Sequence, residues 1–305
     1  MKHIAFIGVG GVGGYFGGKM TTILQKHEDI KVYFIARGEH LKQIQKNGLI
    51  LKTELEGERV CKPTLATEKI EDLPILDACF IAVKAYDLEN VLIRLKDCIN
   101  EQTEVIPLLN GVDMSQRIRE VIKKGIVYPA CVYVGTHIEA PGIVCQKGGN
   151  CTIILGRDER FPNQKPKWIM DLMKEAQIQH QWHLTCTIEI WKKYLFIASY
   201  GLVTAALGKT LGEVYEEETT KQMVLKVIQE IACIGIKEGV GITKEMMIDA
   251  LEKAKTFPYE TKTSFQRDYE KGGEDERVLF GGTMLRLAQL HDVEIPTIDK
   301  LYQLL

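Results

Sequence analysis

No Cys-X-X-Cys pair and no Cys/His combination at zinc spacing occurs in this 305-residue sequence, although it holds eight cysteines, at positions 61, 79, 98, 131, 145, 151, 186 and 233. Scattered thiols, several of them inside apolar runs, predict free cysteines in a reducing compartment and no metal role. A charge surplus is missing too. Lys and Arg total 39 against 41 Asp and Glu, a formal net charge of −2, so no global field draws in nucleic acid or an anionic membrane. No uncharged run reaches the roughly 20 apolar residues of a membrane span. The longest, Tyr194 to Gly208, includes Ser199, Thr204 and two glycines and reads as a buried core helix. Internal repeats and low-complexity tracts are absent. The opening Met-Lys-His runs straight into a strand pattern, so a secretory leader is not expected and a cytoplasmic location is. What remains is an ordinary globular composition, 45% apolar and 26% charged, with a length that suggests about two domains.

The first two-thirds alternate strand and helix. Strands are predicted at Lys2–Ile7, Lys31–Ala36, Leu76–Val83 and Glu104–Leu109, the last two nearly continuous apolar runs of the kind buried on both faces of a parallel sheet. Helical spacing runs through Tyr15, Met20, Ile23 and Leu24, through His40–Lys46 up to the Asn47-Gly48 stop, and through Leu88–Ile99. From Ile126 to Gly156 short strands broken by Pro141-Gly142 and Gly148-Gly149 suggest an antiparallel extension. Gln179–His183 (QHQWH) reads as an edge strand whose His180 and His183 are surface residues rather than ligands. Beyond about residue 184 strands disappear, and helices are expected at Ile188–Leu207, Thr219–Gly239, Lys244–Thr256 and Val278–Leu290, with Gly239 a stop and Thr243 an N-cap. The expected fold is α/β: a doubly wound sheet over residues 1–183 and an all-α domain over 184–305.

Gly8-Val9-Gly10-Gly11-Val12-Gly13 matches G-x-G-x-x-G at a strand end that opens a helix, the context in which this spacing binds a dinucleotide. Gly8 permits the tight turn, Gly10 lets a pyrophosphate approach the backbone, and Gly13 lets helix and strand pack closely. The helix N-terminus offers N–H groups and partial positive charge to phosphates. The competing reading is a glycine-rich turn that binds nothing. At the end of the second strand an acid would hold a ribose 2′-hydroxyl. Here the strand ends Ile35-Ala36-Arg37-Gly38. A planar cation suits a 2′-phosphate, so NADP(H) is expected rather than NAD(H), with a solvated turn arginine as the alternative.

Further polar residues stand where a parallel sheet presents them to a ligand. Lys84 follows one buried strand and Asn110-Gly111 another; such positions reach a cofactor or substrate, although Asn-Gly is also an ordinary turn. Lys193, in Trp191-Lys192-Lys193-Tyr194, borders an apolar helix. It either snorkels to water or enters a site, where an ammonium can protonate a carbonyl oxygen as hydride arrives. Ser264 and Glu276 flank an irregular glycine- and charge-rich stretch and from spacing alone look like solvated surface.

Taken in order, GVGGVGGYFGG, IARGEHL, AVKAYDLENV, LLNGV, IEIWKKYL, TSFQRD and the tail helix with its Ile-Pro turn resemble the ketopantoate reductase family (2-dehydropantoate 2-reductase) over essentially the whole chain. The resemblance implies a Rossmann-type domain and an all-helical domain, with NADPH-dependent reduction of a 2-oxo acid to a 2-hydroxy acid in the cleft where they meet. It further implies Arg37 as 2′-phosphate ligand, and Lys84 and Asn110 as contacts to cofactor and substrate. Lys193 would be the general acid and Ser264 a hydroxyl donor to the substrate carboxylate. Glu276 would be a catalytic, cofactor-facing carboxylate that holds the substrate hydroxyl or the lysine.

Four positions depart from that pattern. Family asparagines four and eight residues after the lysine are Ile197 and Gly201, one before Gly212-Glu213 is Leu211, and an acid two residues past the glutamate is Val278. Apolar replacements penalise a hydroxylated substrate, whose groups lose water without gaining partners. The expectation is therefore reduction of 2-dehydropantoate to D-pantoate, with two alternatives: reduction of a more apolar branched 2-oxo acid, or a non-catalytic NADPH-binding regulatory protein. A two-domain 3-hydroxy acid or glycerol-3-phosphate dehydrogenase is the more distant reading. A small-molecule 2-oxo acid is the expected partner, and the sequence leaves room for a homodimer.

Overall fold

Apolar runs that end in glycine or a charged residue become the strands of a parallel sheet, and a computed structural model of the chain, describing residues 1–305, shows how they are ordered. It divides into two units: Met1–Leu109 with Asp113–Cys186, and Asn110–Val112 with Thr187–Leu305. In chain order the first unit contains β1 (Lys2–Ile7), α1 (Gly11–Met20), β2 (Ile30–Ile35), α2 (Gly38–Asn47), β3 (Leu49–Thr53), β4 (Gly57–Cys61), β5 (Leu65–Thr67), β6 (Ala78–Ile81), α3 (Leu88–Leu95), β7 (Glu104–Pro107), α4 (Met114–Val121), β8 (Ile126–Val127), β9 (Ala130–Tyr133), β10 (Thr136–Ala140), β11 (Ile143–Gln146), β12 (Thr152–Gly156), α5 (Lys167–Glu175) and β13 (Gln179–His183).

Six strands pair in parallel in the order β5-β2-β1-β6-β7-β8. Numbered within the sheet this is 3-2-1-4-5-6, the doubly wound order whose reversal beside β1 opens a ligand crevice at the strand C-termini. Phe6 sits in register with Phe34 on β2 and Phe80 on β6. It stacks on Phe80 at 4.7 Å and meets Phe34 edge-on at 6.2 Å, and all three are fully buried.

The antiparallel extension expected over 126–156 is more varied. β8 extends the main sheet in parallel. β10–β11 and β9–β12 are antiparallel, but they belong to two separate sheets, each with a parallel partner: β11 with β3, and β12 with the edge strand β13. The sequence reading missed β3–β5, α4 and α5. β4 (GERVC) is exposed along all but its last residue, so it has no buried face for a hydrophobic pattern to report. Helix α1 packs against strands of the main sheet and of the β3-containing sheet. Gly14 faces Val144 and Gly17 faces Phe6 and Phe34, each too close for a Cβ without rearrangement.

The second unit comprises α6 (Thr187–Leu207), α7 (Leu211–Glu216), α8 (Glu218–Lys237), α9 (Lys244–Glu252), α10 (Ser264–Lys271), α11 (Thr283–His291) and α12 (Pro296–Leu304). Being apolar on nearly every side, α6 is buried, packing on α8, α9, α10 and α12. Its buried tyrosines satisfy their hydroxyls on backbone carbonyls: Tyr200 donates to Leu251 at 2.7 Å and Tyr194 to Leu279 at 2.8 Å. Gly239 (φ +78°) ends α8, and the Thr243 hydroxyl caps α9 by accepting from the Met246 amide. The helix expected at Val278–Leu290 begins instead with a π-helical turn, Val278–Gly282, whose Leu279 and Phe280 carbonyls accept from Tyr194. No helix is long and apolar enough to cross a membrane.

One buried acid makes the first unit sensitive to pH. Glu104 on β7 is 6% exposed and its Oε2 has no hydrogen-bond partner. Burial pushes its pKa up to about 7, opposed only in part by a hydrogen bond from Trp168 and by the Lys2 ammonium. The fold holds this proton to higher pH than the unfolded chain does. Glu104 therefore costs nothing in acid and destabilises increasingly as pH rises from the ordinary carboxylate range to about 7, by on the order of 3 kcal/mol in all. Glu104→Gln should be the more stable form at about pH 8 and should lose most of the difference at about pH 4. Urea unfolding at both pH values checks this, and parallel wild-type and variant profiles would refute it.

Candidate active site

The turn after β1 is built from close backbone approach. Gly8 has φ +91°, and a Cβ on it would meet Val83 Cγ1 at 2.7 Å and the Ala82 carbonyl at 2.9 Å. Gly8 and Val9 both donate their amides to the Ile35 carbonyl, at 3.0 and 2.9 Å, which ties the turn to the end of β2. A Cβ on Gly13 would lie 2.1 Å from the Gly8 oxygen, so α1 can start here only with glycine. At Gly10, the N-cap, nothing lies within 4 Å of an added Cβ. No side chain caps α1 and no acid occupies its first turn, the condition under which the leading N–H groups of a helix can receive an anion.

Arg37 stands at the end of β2 as the N-cap residue of α2. Its side chain is 76% exposed and its Nη2 donates to Asp87 Oδ2 at 2.9 Å. Lys84 follows β6 and leads into the short helical turn Ala85–Asp87. Sequence reasoning missed His40. Its Nδ1 accepts from the Gly142 amide at 3.0 Å, pinning α2 to the β10–β11 turn in the neutral state, while burial pushes its pKa down. Only the local string IARGEHL hinted at it.

In the helical unit two expected residues meet. Lys193, on the first turns of α6, donates from Nζ to the Asn110 Oδ1 at 2.6 Å across 83 positions of sequence. Asn110 belongs to the three-residue segment that groups with the helices, and Gly111 beside it turns the chain at φ +119°. The stretch between Ser264 and Glu276, expected to be irregular, is mostly the helix α10, Ser264–Lys271. Ser264 is its exposed first residue, following the N-cap Thr263, whose hydroxyl accepts from the Gln266 amide. Glu276 is 5% exposed, just before the π-helical turn.

Ile197 and Gly201 fall one and two turns beyond Lys193 on the same face of α6. A Cβ on Gly201 would touch Phe265 at 3.4 Å and Phe280 at 3.9 Å, so aromatic carbon stands against Gly201. Leu211 is 2% exposed at the start of α7, whereas Val278 is 63% exposed.

Two sequence-family models cover nearly all of the chain: Ketopantoate reductase PanE/ApbA over residues 4–159 and its C-terminal domain over residues 187–305. The chain belongs to the ketopantoate reductase family. The family's enzymes are oxidoreductases acting on a CH–OH group. A 2-dehydropantoate 2-reductase of Mesorhizobium japonicum is 27% identical over 316 residues, 97% of this chain and 94% of the relative. A ketopantoate reductase from Ralstonia eutropha JMP134 shares the fold with a TM-score of 0.89 at 22% identity, covering 99% of this chain and 96% of the other. A D-mandelate dehydrogenase solved with NADH and anilino(oxo)acetate shares it with a TM-score of 0.87 at 21% identity, over 99% and 96% of the two chains.

The two glycines should respond differently to one methyl group. Gly13→Ala should unfold at a temperature lower by roughly 10 °C or more, because its Cβ collides with the backbone of the turn. Gly10→Ala should melt within a few degrees of wild type. Calorimetry on both variants decides it, and equal losses would contradict the geometry.

Proposed function

We propose that the protein is an NADPH-dependent reductase of 2-oxo acids whose reference substrate is 2-dehydropantoate, reduced to D-pantoate. The observation that carries this reading is the 2.6 Å bond that aims the Lys193 ammonium at Asn110, in a chain whose glycine turn has an anion-binding form. Residues 1–183 would serve as the NADP-binding domain and 184–305 as the substrate and catalytic domain. The cofactor part is supported by the open space at Gly10, the uncapped and acid-free start of α1, and the exposed Arg37 guanidinium. Arg37 would take the 2′-phosphate, while Lys84, Asn110 and Glu276 would contact the cofactor further along. When bound, the nicotinamide supplies the hydride. Lys193 then polarises the ketone oxygen and delivers the proton that completes the alcohol, with Glu276 holding the hydroxyl or the lysine. The exposed Ser264 hydroxyl at the start of α10 suits the substrate carboxylate.

A second reading concerns the substrate side chain. Ile197 and Gly201 contribute no hydrogen-bonding side chain, and Gly201 faces Phe265 and Phe280, which favours a branched 2-oxo acid with an apolar tail. Consumption of NADPH with 2-dehydropantoate and with branched 2-oxo acids lacking the hydroxyl separates the two readings by their kcat/KM values. No turnover with any of them, alongside tight NADPH binding, would replace both with a non-catalytic NADPH-binding protein.

Lys193→Ala should lower kcat by at least about a hundredfold while leaving NADPH affinity within about twofold. A lost affinity with kcat retained would make Lys193 a cofactor ligand instead.

A further inference from the structure

The end of β2 carries Arg37 where a ribose-binding acid would stand, yet the structure brings an acid to the same place from another strand. Asp87 closes the helical turn after β6, fifty residues along the chain, and accepts from Arg37 Nη2 at 2.9 Å. Because β1 lies between β2 and β6, the pair joins the two strand ends on either side of the glycine turn. Arg37 is 76% and Asp87 26% exposed, so water screens the pair and little stability is lost when a ligand takes either partner.

We propose that Asp87 is a specificity-determining residue that works against Arg37 at the adenosine end of the cofactor. The inference rests on the dinucleotide reading above. A 2′-phosphate gains the guanidinium but is set beside a carboxylate of the same charge, whereas a 2′-hydroxyl can donate its proton to Asp87 Oδ2. Arg37 alone would reject the unphosphorylated dinucleotide strongly. The neutral pair admits both and leaves only a graded preference for NADPH.

Dissociation constants for NADPH and NADH, measured by calorimetry on the full-length protein without substrate, test this in wild type, Asp87→Asn and Arg37→Ala. Asp87→Asn should tighten NADPH about tenfold and weaken NADH about threefold, so that the preference rises about thirtyfold. Arg37→Ala should move the preference the other way. If Asp87→Asn is poorly folded by circular dichroism, Asp87→Ser removes the same charge. A preference changed by less than about twofold would make Asp87 a bystander, and weaker NADPH binding would make it a prop for Arg37. Either result overturns the proposal. Failure of wild type to bind either dinucleotide would instead bring down the cofactor reading itself, and this inference with it.

Discussion

The first unit turns on a backbone contact. A side chain on Gly13 would come within 2.1 Å of the Gly8 oxygen, so helix α1 and strand β1 meet at a separation that only hydrogen atoms allow. That approach directs the uncapped N–H groups of α1 toward the space at Gly10. The two amide bonds to Ile35 then hold the turn beside the end of β2, which is where Arg37 begins. Geometry at one glycine thus sets how closely α1 meets β1 and which strand end lies beside the turn.

The helical unit is organised by burial. Tyr194 and Tyr200 lie on a largely apolar α6, and a buried phenol left without a partner costs about 1–3 kcal/mol. Tyr194 finds its acceptors in the carbonyls that the π-helical turn leaves over. One turn of α6 is thereby fixed against the segment just after Glu276, and Lys193, the preceding residue, inherits a defined position. The Lys193–Asn110 bond rests on that anchoring as well as on its own length.

Local signals were legible in the sequence and distant ones were not. The glycine turn, the stop at Gly48 and the cap at Thr243 depend on residues a few positions apart, and spacing alone located them. The long apolar runs gave β1, β2, β6, β7 and α6 because burial on all sides leaves its mark in composition. β4 was invisible because it is exposed, and α10 because SFQRDYEK buries only Phe265 and Gln266. The Lys193–Asn110 contact spans 83 positions and Arg37–Asp87 fifty. No periodicity encodes such pairs; the sheet order and the turn after β7 create them. Ser264 and Glu276 entered through the family likeness, since neither spacing nor charge distinguished them from solvated surface.

Two Arg–Asp pairs in the first unit show why chemistry alone does not identify a site. Arg119 and Asp158 are 13% and 7% exposed. Asp158 also accepts from the backbone amides of Val127 at 2.9 Å and Arg160 at 3.0 Å, and burial pulls the Arg119 pKa down. Removing either partner would strand a charge away from water, so this pair is a fixed pin between α4, β8 and the end of β12. Arg37 and Asp87 make the same kind of bond at the surface, where the guanidinium is 76% and the carboxylate 26% exposed. A ligand can therefore exchange with one of them at little cost in folding energy. Exposure, rather than residue type, makes the pair at the end of β2 available for recognition and leaves the other to structure.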